Sequence, residues 1–401
     1  MPLTSAGLCL FAWDFADEGA DDLIARIADL GITRLYPAAV YHAGYFLHPH
    51  SPTKKMRYLD DGVSYYHPDL SCYADTPLKP IPAPMCAQTD WLDVICDKAN
   101  RAGLEVAAWT VFFHNTRLGL MHPQCTIINA FGDSYPHALS PGHPDVRAYG
   151  RAIMADLTTR YPLHSVMLEA ADYRGRKHGG SWVAGHHHER LGTHLRDLEE
   201  RLMNVSFNPA DVAAAESAGI DMTALRQTIR DHMEHYFAAA PDFPDDLPAD
   251  VAAFTADHPA LAHHQNVCDE HVKSLSREMH AIAAASDVTL LGPPDPSFDT
   301  VMAGAYGEPP DRVATLTAAA HAAKLDHQQL SVFIRLGYNG TDPGLGTAIR
   351  TESDMCAVTQ SAADNGADQI VYYNYSEAPQ RSSDWIKPAL QHVGFTRPGQ
   401  P

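Results

Sequence analysis

The run Glu105-Val106-Ala107-Ala108-Trp109-Thr110-Val111-Phe112-Phe113 constrains the fold of this chain more than any other stretch. It is apolar almost without a break, it is shorter than a buried helix, and it ends on His114-Asn115. A strand with one wet face alternates polar and apolar residues, whereas a parallel strand covered on both faces does not. The run therefore predicts a parallel sheet with helices packed against it.

Seven further stretches share this character. The first strand is read at Gly7–Asp14, the second at Ile32–Tyr36, the third at Glu105–Phe113 and the fourth at Ser165–Glu169. The fifth is read at Asp287–Gly292, the sixth, weaker, at Thr300–Gly304, the seventh at Leu330–Arg335 and the eighth at Gln369–Tyr375. Between them lie helical patterns at about 21–30, 89–102, 144–161, 310–323 and 352–365, with a terminal helix at about 383–392. Glycines at 31, 103 and 366 stand where helix ends call for them, and Pro144 stands where a first turn accepts proline. Eight strands alternating with helices predict an α/β fold, a (β/α)8 TIM barrel. The thin spacing around the fifth strand leaves an open doubly wound sheet as the alternative.

At 401 residues the chain exceeds the ~250 typical of such a barrel, and two stretches account for the excess. Residues 37–84, rich in Pro, Tyr and His, read as a long active-site loop after the second strand. Residues 174–285 read as a mainly helical insertion after the fourth, so that 1–401 forms a single barrel domain. Hydrophobic residues make up 45%, and no window approaches the ~18 consecutive apolar residues of a membrane span. The formal net charge of −20 disfavours a nucleic-acid partner. Seven scattered cysteines without a Cys-x-x-Cys pair fit reduced thiols, and the start Met1-Pro2-Leu3-Thr4-Ser5 lacks a basic leader, so the chain reads as cytoplasmic. There is no phosphate-loop or dinucleotide glycine motif; the nearest candidate, Gly340–Gly346, has the wrong spacing.

In a parallel barrel the loops after the strands build the site. Those ends carry Trp13 and Asp14, Tyr41 and His42, His114 and Asn115, Glu169 and Asp172, Arg335, and Tyr373, Asn374 and Glu377. Aromatic rings interleaved with carboxylates and amides suit a carbohydrate, whose apolar faces stack on rings while fixed polar groups take its hydroxyls. Trp13 and Trp109 also read as packing residues, and Asp14 reads equally as a cap. Glu169 closes a buried strand, and desolvation there raises a carboxyl toward the range of a general acid; a structural ion pair with Arg174 or Arg335 is the alternative. Its partner would be Asp172 or Glu377. The cluster His186-His187-His188-Glu189 raises divalent-metal binding as a possibility, against which consecutive histidines point in different directions. No cofactor is expected on the leading reading.

The strand end Leu168-Glu169, the turn Tyr41-His42-Ala43-Gly44 and His186-His187-His188-Glu189 before a long helix together resemble the glycoside-hydrolase-like TIM-barrel proteins. The resemblance is in element order across most of the chain. It implies a glycoside hydrolase with Glu169 as general acid/base and a small carbohydrate or glycoside as substrate. The chain departs from that pattern at the seventh strand, where many such enzymes carry the nucleophile: here stand Arg335-Leu336-Gly337-Tyr338, with no carboxylate before Asp342. A metal-dependent sugar isomerase or epimerase and a sugar-binding protein without activity are the rival readings.

Overall fold

The computed structural model describes residues 2–176, 192–239, 244, 246–337 and 348–397. Eight parallel strands close into a ring: Ser5–Leu10, Arg34–Tyr41, Glu105–Val111, Ser165–Glu169, Thr289–Gly292, Thr300–Gly304, Gln329–Arg335 and Gln369–Tyr373. The first strand pairs with the eighth (Ser5 opposite Gln369) and with the second (Gly7 opposite Arg34), which completes the barrel and excludes the open sheet. No described helix is long and apolar enough to cross a membrane.

Alternation along each strand divides the core in two, because successive side chains point to opposite faces. Leu8, Val106, Ala108, Val166, Leu168, Val332, Ile334 and Ile370 face the surrounding helices. Cys9, Tyr36, Trp109, Met167, Leu291, Phe333 and Val371 fill the interior. The interior is tight: a Cβ on Gly7 would lie 2.5 Å from the Tyr36 ring and 3.2 Å from Val371.

Three readings of the sequence are corrected. The first strand ends at Leu10, and Trp13 and Asp14 belong to a helix, Ala12–Glu18; the Asp14 carboxylate takes the Phe11 N–H at 2.8 Å and so starts that helix early. The second strand runs on through Pro37, in register opposite Leu10, to Tyr41, with an irregular register against the third strand between Ala38 and Val40. The stretch beyond it is ordered: a hairpin pairs Gly44–Leu47 with Met56–Leu59, and Val63–Ser64 pairs with the second strand and with Ile81–Pro82.

The fifth and sixth strands are joined by residues 293–299 with no helix between them, which explains the thin spacing seen in the sequence. Asp299 takes the Leu290 N–H at 2.8 Å, and the Gln328 amide donates to the carbonyls of Asp295 and Phe298. After the fourth strand come the helices Asp197–Met203, Pro209–Ser217, Met222–Ala238, Val251–Asp257 and Ala260–Ala284. The first four share a small core around Leu202, Ile229, Met233 and Phe254. The last packs Leu275 and Met279 into the main core, and Arg147 and Arg151 of the helix Pro144–Arg160 pair with its Glu278.

At the N-terminal end of the barrel, Arg34 is only 5% exposed. Its guanidinium reaches Glu105 at 2.9 Å, Gln369 at 3.1 Å and the His164 ring at 3.1 Å. One side chain thereby ties the second strand to the third, to the eighth and to the turn before the fourth. A cavity of about 490 Å³ opens beside it. With the interior this full, Gly7→Ala is expected to cost about 1–3 kcal/mol. Urea unfolding measures it, and a loss below about 0.5 kcal/mol would show that the Tyr36 ring gives way.

Candidate functional site

The alternation that sorts the core also sorts the strand tips at the C-terminal end. Glu169 follows Met167 on the inner face, Arg335 follows Phe333, and Tyr373 follows Val371. All three therefore enter the barrel mouth. The backbone just past Glu169 is held in an unusual shape: Ala170 has φ +55, the left-handed region that side-chain-bearing residues avoid. Bonds from the two residues just past the third strand fix it there, Phe112 N–H to the Glu169 carbonyl at 2.9 Å and Phe113 N–H to the Ala170 carbonyl at 3.0 Å.

Glu169 accepts the indole N–H of Trp109 at 2.5 Å. Tyr41 and Tyr373 both stand edge-on to the Trp109 ring, with centroids at 5.0 and 5.7 Å, and Tyr306 stands edge-on to Tyr373 at 5.1 Å. Glu377 arrives from the other side, on the turn Tyr375–Glu377 after the eighth strand. The Tyr373–Asn374 peptide before it is cis. Arg335 Nη2 lies 3.9 Å from Glu377 Oε2, and the Asn374 amide lies 3.4 Å from Oε1.

Burial raises the Glu377 carboxyl above the usual glutamate range, and Arg335 opposes that shift. The Tyr41 hydroxyl is pushed well above the usual tyrosine range by burial first, then by Tyr373, Glu169 and Glu377. Tyr373 is raised by burial, Glu377, Tyr306 and Glu169, against Arg335. Cys9, at the base of the mouth, is raised by burial, Glu169 and Glu377. Both glutamates thus raise the same three side chains. The first, second, third, fourth, sixth, seventh and eighth strands all contribute to the mouth.

The other residues expected at the mouth divide into two groups. Tyr41, His42 and His114 form a stacked series on the rim, with centroids at 4.2 and 4.4 Å. Asp172 pairs with Arg174 Nε at 2.9 Å with its side chain 55% exposed; burial and Glu169 raise its carboxyl, and Arg174 opposes them. Trp13 is packed, stacked on Phe11 at 4.2 Å, with Arg57 lying over its ring. Asn115 caps the helix Thr116–Met121 through Leu118 N–H at 2.9 Å and donates to the Gly62 carbonyl. Asn374 likewise caps the Glu377 turn through Ser376 N–H at 3.1 Å. Asp14 is buried beneath that turn and accepts Ser376 Oγ–H as well as Phe11 N–H.

Cys9 and Tyr306 are not among the residues expected at the mouth, and Trp109 reads from the sequence as packing ahead of a sugar platform. The signal for Trp109 and Cys9 was parity: counting by twos along the third strand puts Trp109 on the face of Ala107 and Val111. The cluster His186–Glu189, the loop Gly340–Gly346, Tyr338 and Asp342 lie outside the described residues. Among the described residues, no group of three potential metal ligands includes Glu169.

No family model matches the chain, and no curated protein matches it. Solved structures do. A β-galactosidase from the psychrophilic Marinomonas ef1 aligns with TM-score 0.58 and 13% identity, over 98% of this chain and 61% of that one. The α-L-fucosidase isoenzyme 2 from Paenibacillus thiaminolyticus gives 0.57 and 10%, over 98% and 49%. The PgaB (BpsB) glycoside hydrolase domain from Bordetella bronchiseptica gives 0.56 and 15%, over 98% and 99%. The chain thus spans about three fifths and one half of the first two proteins and nearly all of the third domain. At these identities the likeness shows the fold: this chain has the TIM barrel found in glycoside hydrolases.

Asp14 supplies a test of the site's base. Burial raises its carboxyl to about 7, above the effects of Ser376 and Phe11, which lower it. The unfolded chain releases that proton near ~3.9, so raising pH from 4 to 7 favours unfolding and the loss levels off above 7. Asp14→Asn keeps an oxygen for both donors and does not titrate. Relative to wild type, the variant is expected to gain about 1–3 kcal/mol between pH 4 and pH 8, as measured by urea midpoints. A pH-independent difference would contradict the buried, protonated acid.

Proposed function

We propose that this protein is a glycoside hydrolase in which Glu169 is the general acid/base and Glu377 the second carboxylate. One observation carries the reading: Glu169 ends the fourth strand and Glu377 stands on the turn after the eighth, opposite in the eight-membered ring, and the Trp109 ring that donates to Glu169 lies edge-on to Tyr373 of the eighth strand. Two carboxyl groups flanking one space are what glycoside cleavage requires, one to protonate the leaving oxygen and one to stabilise the oxocarbenium-like centre or activate water.

The surroundings assign the work. Trp109 orients Glu169 through its N–H, and a proton moves from Glu169 to the glycosidic oxygen as the bond breaks. Glu377 must be an anion to meet the positive charge that develops on the sugar. Burial resists that ionisation and Arg335 favours it. Arg335 therefore takes the place in the seventh strand where related barrels carry a nucleophile, and supports a carboxylate supplied by the eighth. Tyr41, His42, His114 and Tyr373 offer rings and polar tips to a sugar. The names of the similar structures make aryl β-galactosides and α-L-fucosides the first substrates to try.

Glu169→Gln is expected to lower kcat/KM on a responsive glycoside by about 10²-fold or more with the circular dichroism unchanged; full activity in this variant would sink the assignment. If no glycoside is turned over while a sugar still raises Tm, the barrel binds without cleaving. The acid limb of the pH profile reports Glu377 and is expected above ~4.3, the ordinary glutamate value. Arg335→Met removes the charge that lowers the Glu377 pKa, so that limb should move to higher pH. A limb that stays in place would assign it to another group.

A further inference from the structure

We propose that Cys125, His143 and Asp145 form a zinc site that clamps the loop after the third strand to the helix leading into the fourth. Each offers one ligand atom, and these atoms all lie within 4.8 Å of one another. His143 Nδ1 and Asp145 Oδ2 are 4.0 Å apart. Zinc bonds of about 2.0–2.3 Å place tetrahedral ligands roughly 3.3–3.7 Å from each other, so a rotamer-scale adjustment of two partly exposed side chains closes the set.

The backbone frame is already fixed. Cys125 ends the turn Pro123–Cys125, and its carbonyl accepts Ser140 N–H at 2.8 Å. The Ser140 carbonyl accepts His143 N–H at 3.0 Å. The Asp145 carbonyl accepts the Thr76 hydroxyl at 2.9 Å, and Pro144 separates the two ligands on the helix. Sulfur, nitrogen and oxygen donors in one set select zinc over magnesium or calcium, which take oxygen alone. A thiolate and a carboxylate together cancel the ion's charge, which outweighs the positive end of the helix at this position. Asp145 is partly exposed, giving the ion a path in and water the fourth position.

Capping explains His143 without a metal: its Nδ1 accepts Asp145 N–H at 3.2 Å, a bond that zinc on the same nitrogen would displace. Capping does not bring a buried thiol to the same point. The two accounts separate with His143→Asn, because asparagine is a strong N-cap yet removes the imidazole ligand.

The experiment titrates the full-length, chelator-treated protein with Co2+ and follows the absorption spectrum. One equivalent is expected to give tetrahedral d–d bands and a thiolate-to-cobalt charge-transfer band, both abolished by stoichiometric Zn2+. Cys125→Ser should lose the charge-transfer band. His143→Asn should bind Co2+ at least about 100-fold more weakly while its metal-free urea midpoint stays within error of wild type. Should the serine variant fail to fold, the asparagine variant decides alone. Cobalt bound without a thiolate band, a band that survives Cys125→Ser, or unchanged affinity in His143→Asn each overturns the proposal.

Discussion

Everything at the mouth depends on ring closure through the first strand. Ser5–Leu10 is held by the eighth strand on one side and the second on the other, so no strand keeps a free edge and all eight point the same way. Closure makes parity absolute. A side chain is inside or outside, and a one-residue slip would exchange the two sets. Glu169, Arg335 and Tyr373 are inside because they stand an even number of residues from Met167, Phe333 and Val371.

That geometry bears on how ionisable groups coexist in a crowded, largely buried space. Glu169 has the Trp109 N–H, Glu377 has Arg335 and the Asn374 amide, and Asp14 has two donors of its own. A carboxyl buried without such partners would destabilise the fold further. The aromatic rings do more than line a surface. By displacing part of the water around these groups they lower the local dielectric, and each of these interactions is stronger for it.

Much of the barrel was legible because doubly buried strands have a composition that little else shares. The errors fell where a single side chain outcompeted the pattern. Asp14 captured the Phe11 N–H and turned a strand end into a helix; Pro37 looked like a terminator and sits instead beside an irregular register. The hairpin Gly44–Leu47/Met56–Leu59 was hidden among aromatic and turn residues that also make loops. At the site, Glu169 and Glu377 could be placed from strand ends alone. Asn115 and Asn374 could not be told from ligand-binding amides, since a cap and a substrate contact draw on the same donor and acceptor. Trp109 read as packing because a tryptophan in an apolar run gives no sign of where its N–H points.

The seam of the ring joins the first strand to one that begins at Gln369. During synthesis the N-terminal strand leaves the ribosome long before that partner exists, and so does Asp14, whose hydroxyl donor is Ser376. Until then one edge of the nascent sheet is open and an acid meant for burial is in water. The order of manufacture therefore sets a requirement separate from final stability: the early chain must be kept from pairing elsewhere until its last neighbour has been made.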